Sequence, residues 1–281
     1  MKALGFLLWA VLAAGVVQAD EIKILHEQVL YPSVRVRAGS SGGSGTVLYS
    51  EKDALGKVRT FILTNHHVID DLIDIEKKWS SRLSKWVEEE KRKTAEVHFF
   101  RYNNMSTTIG SYAVEADVVA YDEDDDMALL ELRDTENKAD YVAVIIEKEQ
   151  IKTIHMFEPV YVSGSTLGHP PIASYGMMTY QNDEIESKKF WMTNASISFG
   201  NSGGGLFIKR DGRYVFIGVP SRIQMQGFSP ANFMAYFIPP DRVIEFLEDQ
   251  SYQFIFDATR SIEDCKRERD RKTLMERTND H

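Results

Sequence analysis

Ser202 sits among glycines in Gly200-Asn201-Ser202-Gly203-Gly204. Such a serine can act as a nucleophile when a histidine takes its proton, a carboxylate orients that histidine and backbone N–H groups receive the oxyanion. The flanking glycines suit that chemistry, because they let the chain turn tightly and bring N–H groups close to a substrate carbonyl. The same five residues match the Gly-x-Ser-x-Gly elbow of an α/β-hydrolase, and a serine between glycines is often only a turn. Chain order separates the two hydrolase plans. An α/β-hydrolase needs its histidine after the serine, and after Ser202 there is only His281, the last residue of a charged stretch. Upstream, the apolar run Phe61-Ile62-Leu63-Thr64-Asn65 ends in His66-His67, and Asp124-Asp125-Asp126 precedes Met127-Ala128-Leu129-Leu130. The order His, Asp, Ser is that of the chymotrypsin fold.

Short segments rich in Val, Ile, Phe and Tyr must hold these side chains. The first set is Ser33–Val36, Thr46–Tyr49, Thr60–Leu63, Glu96–Phe100, Tyr112–Tyr121 and Met127–Leu132. The second is Ala143–Ile146, Pro159–Ser163, Ser174–Tyr180, Phe190–Asn194, Gly204–Ile208, Tyr214–Val219 and Ala235–Ile238. Two clusters of short strands predict an all-β chain of two barrels or sandwiches, at about 29–134 and 141–240, linked by the polar Arg133–Asp140. Two segments break the pattern. Ile75, Trp79, Leu83, Trp86 and Val87 lie at helical offsets among charged residues and predict an inserted amphipathic helix over Asp70–Ala95. Pro239-Pro240 opens a C-terminal helix over Asp241–Glu248, and a charged tail follows at 257–281, read as a solvated helix or as disordered.

At 281 residues and 43% apolar, the chain is neither a short disulfide scaffold nor a disordered polymer. A formal charge of −9 leaves no net basic field for gripping nucleic acid. One cysteine, Cys265, excludes an intrachain disulfide and a four-cysteine zinc site. Residues 1–19 have the layout of a signal peptide: Lys2, an apolar run from Ala3 to Val17, and Ala19 before the cut. Export to a periplasm or the outside is therefore expected, with membrane contact only through this segment if it stays uncleaved.

The motifs quoted resemble those of trypsin-like serine proteases, closest to the HtrA (Deg) type, across residues 29 to 248. Thr64-Asn65-His66-His67-Val68 matches that family's Thr-Asn-x-His-Val block, which implies His67 as the base; the acid block implies Asp126. Gly200-Asn201-Ser202-Gly203-Gly204 matches in full, although Gly205 stands where the family usually has proline. Gly43-Ser44-Gly45 resembles the early Gly-Ser-Gly turn. The resemblance implies two six-stranded antiparallel barrels with the site between them, a domain over 20–256, and an oxyanion hole from the N–H groups of Gly200 and Ser202. It also implies a substrate pocket involving Ser196, Ser221 and Arg222. Ser196, at the pocket base, is uncharged, so cleavage after small or medium apolar residues is expected rather than after Lys or Arg. Asn201 stands where zymogen-type trypsins have aspartate, so activation by a new N-terminus is not expected. The 33 residues after Glu248 are too few for the PDZ domain of full HtrA proteins. The expected function is an exported serine endopeptidase acting on proteins or peptides with no metal or organic cofactor. The alternative is a catalytically silent protease fold used as a binding or chaperone module.

Overall fold

In Ser33-Val34-Arg35-Val36-Arg37-Ala38, Val34, Val36 and Ala38 are fully buried while Arg37 faces out, the period-two pattern of a strand with one face on a core. Such strands close into barrels in the computed structural model, which describes residues 20–81, 84–226 and 229–279. Barrel one comprises β1 (Ser33–Ala38), β2 (Ser41–Lys52), β3 (Val58–Thr64), β6 (Ala95–Asn103), β7 (Thr107–Asp122) and β8 (Met127–Leu132). Its order around the barrel is β1-β2-β3-β8-β7-β6, all antiparallel. Barrel two comprises β9 (Pro159–Gly164), β10 (Ile172–Ile185), β11 (Lys188–Thr193), β12 (Gly205–Arg210), β13 (Arg213–Gln226) and β14 (Ser229–Ile238), in the order β10-β11-β14-β13-β12-β9. The fold is the all-β, two-barrel architecture expected.

Each barrel has its own core: Val34, Val36, Ile62, Val97 and Leu130 in the first, Val160, Val162, Leu206, Ile217 and Phe237 in the second. A third core joins them. Phe61, Leu63 and Leu129 pack with Phe207, Phe216 and Ile238 and with Val243 and Leu247 of the helix Pro240–Asp249. Closing two barrels removes their sheet edges, and the shared core makes them one unit.

Three expectations need correction. Asp70–Ala95 is no helix: after a one-turn 3-10 segment at Asp70–Leu72 it forms a separate antiparallel ribbon, β4 (Ile73–Ser80) and β5 (Lys85–Arg92). The spacing misled because an offset of four suits both periods, and Trp86 faces Trp79 across the ribbon rather than along a helix. Their rings meet edge-on at 5.8 Å, and Lys77–Glu88 and Lys78–Glu89 pair across the strands. Leu83, which completed the apparent stripe, lies outside the described residues. Ala143–Ile146 is not a barrel strand but a stitch between barrels. Ala143 N–H donates to Val47 O, Phe216 N–H to Val144 O and Ile146 N–H to Phe216 O.

The charged tail is not wholly solvated. It forms a helix, Ile262–Asn279, whose first turn buries Ile262 and the free thiol Cys265 in the shared core. At the other end, Glu21 pairs with Lys209 at 2.6 Å, docking the segment that follows the expected cleavage point onto barrel two. The signal segment itself lies outside the described residues. Among the described residues no helix is long and apolar enough to cross a membrane.

Candidate active site

β3 runs buried to Thr64, and a four-residue helix, α1 (His66–Ile69), follows, anchored by buried Val68 and Ile69. One turn of helix sends the paired histidines in different directions. His66 is buried against Tyr121, with ring centroids 5.2 Å apart, while the His67 side chain is half exposed and reaches Asp126. Asp126 closes the turn between β7 and β8. Asp122 Oδ1 accepts the Asp125 N–H at 2.8 Å, and buried Met127–Leu130 draws the chain back into the barrel. Asp126 takes a left-handed conformation, φ +54, which aspartate tolerates better than most residues.

The Asp126 carboxylate meets three donors. His67 Nδ1 lies 2.8 Å from Oδ1 and 3.0 Å from Oδ2, the His67 backbone N–H donates to Oδ1 at 3.1 Å, and Ser221 Oγ donates to Oδ2 at 2.7 Å. Burial alone pushes this carboxyl's pKa up. The bond and charge of His67, with the Ser221 hydroxyl, outweigh that and hold it below the ordinary aspartate value. An imidazole that donates Nδ1–H to a carboxylate keeps its basic lone pair on Nε2.

The serine turn is locked by neutral groups. The side chain of Asn201 is buried, its Oδ1 accepting from Thr166 Oγ1 at 2.8 Å and from the Ser198 N–H at 3.1 Å. Ser44 ties this turn to barrel one. Its N–H donates to Ser202 O at 2.8 Å, its Oγ donates to Gly200 O at 2.5 Å, and its carbonyl accepts Thr64 Oγ1 at 2.7 Å. Contact here is close. A Cβ added to Gly43 would stand 2.7 Å from Val68 Cγ2 and 2.8 Å from Ser202 O. The turn is therefore seated against the strand end and the helix that carry His67. Among the described residues no hydrogen bond joins Ser202 Oγ to His67, a contact that commonly tightens only with substrate bound. Leu167 N–H donates to Phe199 O at 2.8 Å, which turns the Gly200 N–H of that trans peptide the opposite way. Among the described residues neither the Gly200 nor the Ser202 N–H donates to a protein acceptor.

The pocket residues divide. Ser221 and Arg222 line a depression with His67, Asp126 and Asp124. Arg222 is paired with Glu186 at 2.9 Å and covers the ring of Phe190 at 5.2 Å. Ser196 is exposed and outside that depression, its carbonyl accepting Ser174 Oγ at 2.7 Å. The early Gly-Ser-Gly segment is part of β2 rather than a turn, and the hub role of Ser44 had no signal beyond its flanking glycines. Asn65, two residues before His67, donates from Nδ2 to Asp126 O at 2.8 Å, a positioning role that its residue type alone does not signal.

The fold is a two-barrel one, and sequence comparison gives its class. The chain belongs to the trypsin-like peptidase family, whose model matches residues 31–219, and is by that membership a serine-type endopeptidase. Among solved structures, that of Deg5 is 21% identical with a TM-score of 0.54, covering 81% of this chain and 92% of that one. The serine endoprotease from Yersinia pestis is 20% identical, also with a TM-score of 0.54, covering 82% of this chain and 65% of that one. At such identity the likeness is one of fold. A search of curated proteins gives no significant match.

Proposed function

We propose that this protein is an exported serine endopeptidase of HtrA-like type that cleaves through an acyl-enzyme on Ser202. His67 Nε2 takes the hydroxyl proton as Ser202 Oγ attacks the peptide carbonyl, and Asp126 holds the imidazole in the required tautomer and steadies the imidazolium. The N–H groups of Gly200 and Ser202 receive the oxyanion, each worth about 3 kcal/mol in related enzymes. His67 then protonates the leaving amine, and water activated by the same imidazole releases the acyl group. These steps need no metal or organic cofactor. The observation that carries the reading is the Asp126–His67 contact at 2.8 Å beside a serine turn seated on Ser44. Uncharged Ser196, at the position that the resemblance makes the pocket base, is the reason to expect small or medium apolar residues before the scissile bond. Proteins and peptides are the substrates, and the signal-like residues 1–19 support export.

The test is labelling by a fluorophosphonate probe. Wild-type protein should react and Ser202→Ala should not; an unlabelled, folded wild type would instead favour the silent binding module. A cleavage profile dominated by Arg or Lys would overturn the specificity.

A further inference from the structure

Asp125, one residue before the acid, is gripped from outside barrel one. Its Oδ1 accepts from Lys188 Nζ at the start of β11, 2.6 Å away, and from Arg242 Nη2 at 2.9 Å. Arg242 belongs to α2 (Pro240–Asp249) and is 7% exposed. Its Nη2 also donates to the Asp125 backbone carbonyl at 3.2 Å, its Nη1 donates to Lys189 O at 3.0 Å, and its guanidinium lies 4.9 Å from the Phe190 ring centroid. A buried guanidinium is costly unless its donors are met, so a fork with three acceptors on two elements specifies one geometry.

We infer that Arg242 is a positioning residue for hydrolysis, holding the Asp125–Asp126 peptide in the rotation that aims the Asp126 carboxylate at His67. The inference rests on the triad reading above. The Asp125 carbonyl belongs to the peptide plane that swings about φ of Asp126, and that φ is +54, in the left-handed region. Arg242 grips this carbonyl from one side. From the other, the Asp126 N–H donates to Glu123 O at 3.2 Å. Releasing the Arg242 grip frees the peptide to relax, and the carboxylate turns with it. The C-terminal helix and barrel two thus align a residue of barrel one, so the acid is oriented only when both barrels and the helix have docked.

The same helix provides a control, since Glu248 pairs with Lys148 at 2.5 Å and has no link to Asp126. The experiment compares Arg242→Met, Arg242→Lys and Glu248→Gln in the full chain. It uses hydrolysis of a short peptide ester, fluorophosphonate labelling, thermal unfolding and the downfield NMR resonance of His67 Nδ1–H. Arg242→Met is expected to lower kcat on the order of ten- to a hundredfold, with KM within about twofold and the Nδ1–H resonance shifted or broadened. Arg242→Lys keeps one bridge but loses the fork and falls between. Glu248→Gln leaves kcat and the resonance unchanged even where its Tm falls. Unchanged kcat in folded Arg242→Met, or an equal loss in Glu248→Gln, overturns the inference. Should Arg242→Met fail to fold, Arg242→Lys decides: lowered kcat at constant KM supports it, unchanged kcat sinks it. A wild type that neither labels nor cleaves marks failure of the triad reading; an active wild type with indifferent Arg242 variants marks failure of this inference alone.

Discussion

The Ser221 hydroxyl on β13 donates to Asp126 Oδ2 at 2.7 Å, so barrel two supplies a bond that holds the carboxylate of barrel one. The same carboxylate accepts hydrogen bonds from both Nδ1–H and the backbone N–H of His67. It is the meeting point of both barrels, and its direction depends on their docking. The consequences can be measured.

Ser221→Ala removes one donor without changing the fold of β13. A hydrogen bond to a charged group is worth about 1.5–3 kcal/mol, so kcat/KM should fall about ten- to a hundredfold. Peptide hydrolysis by the purified variant checks this, and a wild-type rate would show that Ser221 serves only the substrate pocket.

Asp126→Asn keeps size but presents an amide to His67 and favours the wrong tautomer. The expected loss in kcat is about 10⁴-fold, with KM little changed, by analogy with the trypsin aspartate. A loss under tenfold would mean that another group orients the histidine.

Acid should unfold the wild type by a route that involves this site. Asp126 has a folded pKa below its ordinary value near 3.8, because the His67 and Ser221 contacts outweigh burial. Its stabilising contribution is therefore present in full above that ordinary value and lost as pH falls through the lowered one. Asp125 shifts the same way, with burial opposed and outweighed by Lys188 and Arg242. The Tm of Asp125→Asn, followed downward in pH, should converge on that of wild type. Parallel curves would refute the linkage.

Gly203 has φ +84, and a Cβ there would stand 2.1 Å from Ser44 O and 2.3 Å from Thr64 Oγ1. Gly203→Ala should cost about 2–5 kcal/mol, from backbone strain plus overpacking. Gly212 has nearly the same φ, +81, but open space, so Gly212→Ala should cost only about 1 kcal/mol. Denaturant unfolding of the two variants separates the clash from the strain.

Trp79 and Trp86 are 50% and 66% exposed on a ribbon outside both barrels. Replacing both by threonine should cost less than about 1.5 kcal/mol, since threonine suits strands and the ring pair lies largely in water. A larger loss, read from thermal unfolding, would mean that the ribbon supports the barrels.

Much of the fold was legible because barrel strands alternate or run apolar within short reach of turn residues, as in Ser33–Val36 and Met127–Leu132. The ribbon was not, because Ile75 and Trp79 lie at a spacing that a helix and a strand both allow, and the cross-strand partner that decides between them is Trp86. Ala143–Ile146 has strand composition, yet its bonds go to two different barrels. The burial of Cys265 was equally hidden, since the charged residues around it say nothing of the single face that meets the shared core.

At the site, residue types and order were enough to nominate a serine, a histidine and an aspartate, because the chemistry demands those groups and the turn demands glycine. Which of two adjacent histidines meets the carboxylate was decided by one turn of helix, sending His66 to Tyr121 and His67 to Asp126. Ser44, Ser221 and Arg242 became partners of the site only through docking of the two barrels and the C-terminal helix. Hydrogen bonds between residues roughly 95 to 160 positions apart leave no local pattern in a chain; they exist only where packing brings their atoms within about 3 Å.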